Sequence, residues 1–182
     1  MDLNYLMHSC MILKDIPRTG WLQRGIPPSE VESVAEHTYE VVSILAAIGM
    51  AAGKGLDTGR MLLMGTIHDW GEAVSGDMPL SLTVRLGREA KMNVDHSIMR
   101  ELSEKSGMVS LIQIFKDYEK RDSQESILVK IADLLSTMRQ AEAYSERGFK
   151  VEDIVEGCSG EIAGLIDRID SDGVRSLIKM LL

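Results

Sequence analysis

Leu3, Leu6, Met7, Cys10, Ile12 and Leu13 fall at mixed three- and four-residue steps, which predicts a first helix over 2–14. Pro17, Gly20, Gly25, Pro27 and Pro28 then break the chain into a loop. Helical spacing resumes over 28–49, with Val34, Val41, Val42, Leu45 and Ile48 on the inward face and Gly53 and Gly55 closing the region. A third helix is expected over 58–74, with Leu62, Leu63, Gly65, Thr66 and Ile67 deep in its pattern, and Pro79 ends the stretch after it.

Residues 87–105 carry charge along one face and predict an exposed helix; 108–118 predict a shorter one. Asp122 and Glu125 have the spacing of a capping box. They open a long helix over 123–147 whose apolar face holds Ile127, Leu128, Ile131, Leu134, Leu135 and Met138, and Gly148 is placed to end it. Two further helices, over 151–169 and 174–182, complete the chain. No internal repeat, low-complexity tract or second domain interrupts this pattern. The expectation is one all-α domain over 1–182, with its chemistry-bearing core at 18–147 and the helices of 151–182 packed on it.

Composition supports that picture. Aromatics are 4% of the 182 residues, and the apolar load falls on Met, Ala, Leu and Ile, which favours helix over sheet. The net charge of −8 argues against sequence-independent binding to a nucleic-acid polymer, which needs a basic face. One phosphate can still be held where a metal or an arginine supplies local positive charge. Cys10 and Cys158 have no C-x-x-C spacing and read as packed, reduced thiols. No apolar run reaches the length of a membrane span, and the opening MDLNYLMHSCMILKD lacks a basic start and a small-residue cleavage site. The expected location is the cytoplasm, with no membrane partner.

The chemistry concentrates in TIHDWGEAVSGDMP, residues 66–79. Adjacent residues on a helix point about 100° apart, so His68 and Asp69 can converge on one ion lying off that edge. Imidazole and carboxylate together suit divalent first-row metals, but two ligands do not close a site. His37, within ESVAEHTYEVV, lies beside an apolar stripe where a histidine needs a polar partner. Asp133 is set among Ile131, Ala132, Leu134 and Leu135, and buried carboxylates are paired or bound to metal. His37, His68, Asp69 and Asp133 would thus leave room for water on an octahedral Mn²⁺, Co²⁺ or Fe²⁺; Mg²⁺, Ni²⁺ and Zn²⁺ are alternatives.

Glu72 follows His68 by four residues and Asp69 by three, which on one helix puts it on the same face, ready to orient water or move a proton. Asp77 follows Gly76 and could serve the same end. In the Pro/Gly loop Arg18 and Arg24 flank Trp21; a guanidinium can hold phosphate and an indole can stack on a flat ring.

Each residue alone has an ordinary structural reading. His37 could be a hydrogen-bonded core histidine, Asp133 could pair with Lys130 or Arg139, and Arg18 with Trp21 could be loop packing. His96, preceded by Asp95 on a charged helix, keeps that ordinary reading, and the exposed stretch at 87–105 reads at most as an interface. Order, spacing and apolar setting taken together favour the metal site.

The order His37, then His68–Asp69, then Asp133 resembles the HD-domain metal-dependent phosphohydrolases, and within them the 5′-deoxynucleotidase branch. The segments that carry the resemblance are RTGWLQRGI, ESVAEHTYEV, HDWGEAVSGDMP and ILVKIADLL, from Arg18 to Arg147. It implies an all-α HD fold with one divalent metal on His37, His68, Asp69 and Asp133. It also implies hydrolysis of deoxyribonucleoside 5′-monophosphates to nucleoside and phosphate, with Arg18, Glu72 and Asp77 holding phosphate or assisting water, in a homodimer. The chain departs from the family after Asp133, where DLLS puts Ser136 at a position often acidic. The alternatives are an HD phosphohydrolase acting on another nucleotide or phosphate ester, and a catalytically idle protein that binds nucleotide or metal.

Overall fold

The computed structural model describes every residue except Met1 and Lys54. The described residues form helices and no strand, in keeping with the all-α expectation; a single antiparallel bridge pairs Pro17 with Ser33. The chain divides into two compact units, each built from two stretches: Met1–Glu36 with Ile67–Lys116, and His37–Thr66 with Asp117–Leu182.

In the first unit, α1 (Leu3–Ile12) is capped by Asp2, whose carboxylate accepts from Tyr5 N at 3.0 Å. The loop expected after it contains a four-residue helix, α2 (Thr19–Leu22). The helix expected from 28 begins later, as α3 (Val34–Ala52). Residues 27–31 are spent on turns, with Glu30 N and Val31 N both donating to Pro27 O. Ser33 and Glu36 then supply a capping box: Glu36 N donates to Ser33 Oγ and Ser33 N to Glu36 Oε2.

The predicted helix over 58–74 is broken. Its first part, α4 (Thr58–Ile67), ends immediately before His68, and α5 (Glu72–Ser75) is a separate short helix. Between them Trp70 N donates to Ile67 O, Glu72 N to Asp69 O and Ala73 N to Trp70 O. These three-residue steps tighten the chain out of α-helical register. α6 (Leu80–Leu86), α7 (Arg88–Ser106) and α8 (Ser110–Lys120) follow, and α7 packs on both α1 and α6. Ile98, Met99 and Leu102 bury one face of α7, and His96, expected in a purely polar setting, is half-buried with its ring edge-on to Phe115.

The second unit holds most of α3 and α4, the end of α8, and three further helices. α3 and α4 approach closely at Gly65, where a Cβ would collide with Leu45 Cδ1 and force that side chain to shift. α9 (Gln124–Glu146) is capped by Ser123 and Ser126 rather than by Asp122 and Glu125. Glu125 is drawn instead to the backbone N–H of Asp57, 3.0 Å away. At its far end Gly148 N donates to Ser145 O and Phe149 N to Tyr144 O, with Gly148 at φ +90°, which is a Schellman stop. α9 packs along α10 (Glu152–Ile166), and α11 (Asp172–Leu181) ends the chain. Leu128, Ile131, Ala132, Leu135 and Met138 form the buried stripe of α9. Cys10 and Cys158 are not joined in a disulfide. Among the described residues no helix is long and apolar enough to cross a membrane.

Candidate functional site

The first unit carries His68, Asp69, Glu72 and Asp77 on the turns between α4 and α6, with Arg18 at the entrance to α2. His68 is buried and its Nε2 lies 3.0 Å from Asp69 Oδ2. The two side chains meet, and they do so from a tight turn and not from the one helix edge expected.

Glu72 opens α5, so its approach to Asp69 also comes from the turn and not from the continuous helix expected. Burial raises its carboxyl to a pKa of about 10, the charges of Asp69 and Asp77 push the same way, and Arg18 and Lys91 oppose them. Its Oε2 is buried without a hydrogen-bond partner among the described residues. At neutral pH, without a bound cation, Glu72 therefore holds a proton.

Asp77 follows Gly76, whose φ of +72° suits glycine at this turn. Thr19 N donates to Asp77 Oδ2 at 2.6 Å, and the Thr19 hydroxyl also hydrogen-bonds that carboxylate. Asp77 thereby fastens its turn to the residue next to Arg18.

Arg18 Nε is 3.6 Å from Glu32 Oε1, and Arg18 N donates to Glu32 O at 3.0 Å. Trp21 is 3% exposed and donates Nε1–H to the same Glu32 oxygen at 2.7 Å. The stacking surface expected of Trp21 is thus turned inward: the indole fixes Glu32, and Glu32 fixes Arg18. Arg24 is exposed. A second cation comes from α7, where Lys91 Nζ lies 2.7 Å from Asp95 Oδ2. Burial alone would lower the Lys91 pKa, but Asp95, Glu72 and Asp69 outweigh it and hold it raised.

The second unit carries His37 and Asp133. His37 is fully buried on α3, with Nε2 3.2 Å from Asp133 Oδ1 of α9. Lys130 Nζ lies 2.8 Å from the other Asp133 oxygen, so Asp133 has the ordinary lysine partner as well as the histidine. On the opposite side of the ring His37 Nδ1 is 3.0 Å from Ser136 Oγ, and Ser136 donates to Glu40 Oε2 at 2.9 Å.

Each unit therefore buries one histidine against one carboxylate. Imidazole nitrogen and carboxylate oxygen are the donors that divalent first-row ions accept, so each pair fits such an ion. Sequence reasoning missed Thr19, Glu32, Lys91 and Glu40, and marked Ser136 only as a departure from the family pattern. One signal was readable: Glu40 follows His37 by three residues and Ser136 follows Asp133 by three, which keeps each near its neighbour on a helix face.

A family model described as an HD domain matches residues 10–160. Among curated proteins, the 5′-deoxynucleotidase HDDC2 of Dictyostelium discoideum is 28% identical over 167 residues, covering 84% of each chain. The human 5′-deoxynucleotidase HDDC2 is 24% identical over 171 residues, covering 88% of this chain and 80% of its own. Among solved structures, a conserved hypothetical protein from Pyrococcus furiosus superposes with a TM-score of 0.78 at 30% identity, covering 97% of this chain and 96% of the other.

Proposed function

The chain belongs to the HD-domain family, and from that premise we propose that it is a metal-dependent phosphomonoesterase that converts deoxyribonucleoside 5′-monophosphates to deoxynucleoside and phosphate. The HD domain implies a divalent metal, and the names of the curated relatives supply the substrate class. The observation that carries the reading is the pair of buried histidine–carboxylate contacts, His68 with Asp69 and His37 with Asp133. On this reading the four residues hold one ion, with Co²⁺, Mn²⁺ or Fe²⁺ suiting the donor set. The match to residues 10–160 draws on stretches of both units, which supports treating them as one HD domain.

When bound, the ion would acidify water and offset charge on the phosphoryl group. The chain's own residues do the rest. Arg18, braced by Glu32, holds phosphoryl oxygens through its guanidinium. Glu72 is the proton carrier: its raised pKa gives it a proton to hold at rest, and a neighbouring cation would favour releasing it. Asp77, engaged by Thr19, anchors the loop that presents Arg18. Trp21 supports the same loop from beneath. A cytoplasmic location and a homodimeric state belong to the same proposal, the homodimer resting on the family resemblance.

The test is a panel of phosphate esters with Co²⁺ or Mn²⁺ supplied and then chelated. Release of phosphate from deoxyribonucleoside 5′-monophosphates in preference to 3′-monophosphates and nucleoside triphosphates is expected. A preference for triphosphates would assign another HD phosphohydrolase activity, and metal retention with no turnover would assign a binding protein.

A further inference from the structure

His37 is held on both sides, and the side facing away from Asp133 decides which ring nitrogen is available. Ser136 and His37 are both 0% exposed, so their polar atoms depend on protein partners. Glu40 stands three residues after His37 on α3, and Ser136 three after Asp133 on α9. Their side chains meet: Ser136 Oγ donates to Glu40 Oε2 at 2.9 Å and lies 3.0 Å from His37 Nδ1. Arg139 Nε lies 3.7 Å from the other Glu40 oxygen, on the outer side of this chain of contacts.

We propose that Ser136 and Glu40 are positioning residues that fix a hydrogen on His37 Nδ1 and so reserve Nε2 for the divalent ion; the inference rests on the proposed metal site. A carboxylate only accepts hydrogen bonds, and a serine hydroxyl has one hydrogen to give. With that hydrogen directed at Glu40, Ser136 Oγ meets His37 Nδ1 as an acceptor. Nδ1 must then carry hydrogen, whether or not Nε2 does in the absence of an ion. Nε2 is the nitrogen facing Asp133 Oδ1, so the relay aims the ligating lone pair to the side where the second ligand stands. It also holds the plane of the ring, because the Nδ1–H bond is directional.

The first readout is made on the wild-type side chains. Long-range ¹H–¹⁵N spectra of the wild-type protein, metal-free and loaded with Zn²⁺, should show a pyrrole-type, hydrogen-bearing Nδ1 for His37 in both states. The assignment comes from the spin system lost in His37→Ala. A pyridine-type Nδ1 in either state would overturn the proposal. The second readout is Co²⁺ affinity by chelator competition on variants whose helical circular dichroism matches wild type. Ser136→Ala is expected to lose about 10- to 100-fold, while Ser136→Thr, which keeps the hydroxyl, stays close to wild type. Wild-type affinity in Ser136→Ala alongside weakened affinity in His37→Ala would overturn the relay and leave the metal reading standing. Wild-type affinity in His37→Ala would overturn both.

Discussion

Thr19 donates its backbone N–H to Asp77 Oδ2 at 2.6 Å, joining two turns that lie 58 residues apart in sequence. Arg18 precedes Thr19, so this bond sets where the guanidinium begins. Asp77 thus has a structural duty that its carboxylate chemistry alone would not reveal. Asp77→Asn keeps an acceptor oxygen and should retain much of the turnover. Asp77→Ala removes the anchor, and a displacement of about 1 Å in a positioning group costs on the order of 100-fold in rate. The check is kcat and KM for both variants: near-equal activity of the Ala and Asn variants would show that the acceptor does not matter.

Glu72 gives a pH dependence whose sign follows from its environment. Its folded pKa is raised to about 10 from an ordinary 4.5, so above 4.5 the folded state binds a proton that the unfolded state has lost. Stability therefore falls as pH rises from the unfolded pKa toward the folded one. Glu72→Gln removes the titration but keeps a neutral side chain of similar shape. Urea unfolding of the metal-free proteins should show the variant gaining on wild type as pH rises from about 5 to about 9, with no added gap below about pH 4. A constant difference across that range would contradict the buried, proton-holding carboxyl.

Trp21 predicts a loss of stability of a definite origin. Trp21→Phe removes the N–H donated to Glu32, which is itself buried. Leaving a buried acceptor without that donor costs about 1–3 kcal/mol, and the smaller ring adds a packing loss. Denaturant midpoints measure the destabilisation, and a raised KM for the nucleotide is expected because Glu32 also faces Arg18. An unchanged midpoint would contradict the inward-turned indole.

The long helices were legible because each buries a stripe. Ile127, Leu128, Ile131, Leu135 and Met138 mark α9 at helical spacing, and the same residues are buried in the fold. α6 was not legible: Leu80 is 77% exposed and Val84 71%, so no inward face announces it. The break after Ile67 was hidden for another reason. HDWGEAVS keeps helical spacing in sequence, while its backbone bonds shorten to three-residue steps that no side-chain pattern encodes. At the site, the titratable residues themselves could be read from order and spacing. Their supports could not, because Thr19 with Asp77 and Ser136 with Glu40 are 58 and 96 residues apart.

The proposed function makes cleavage of a 5′-phosphomonoester depend on a metal and on residues that include Asp69. The most direct measurement is phosphate release from a deoxyribonucleoside 5′-monophosphate at saturating Co²⁺, with wild type and Asp69→Ala side by side. The expected result is turnover by the wild type that stops on chelation, and none above background by the variant. Equal phosphate release by the two proteins, or none from the wild type with any such nucleotide, would contradict it.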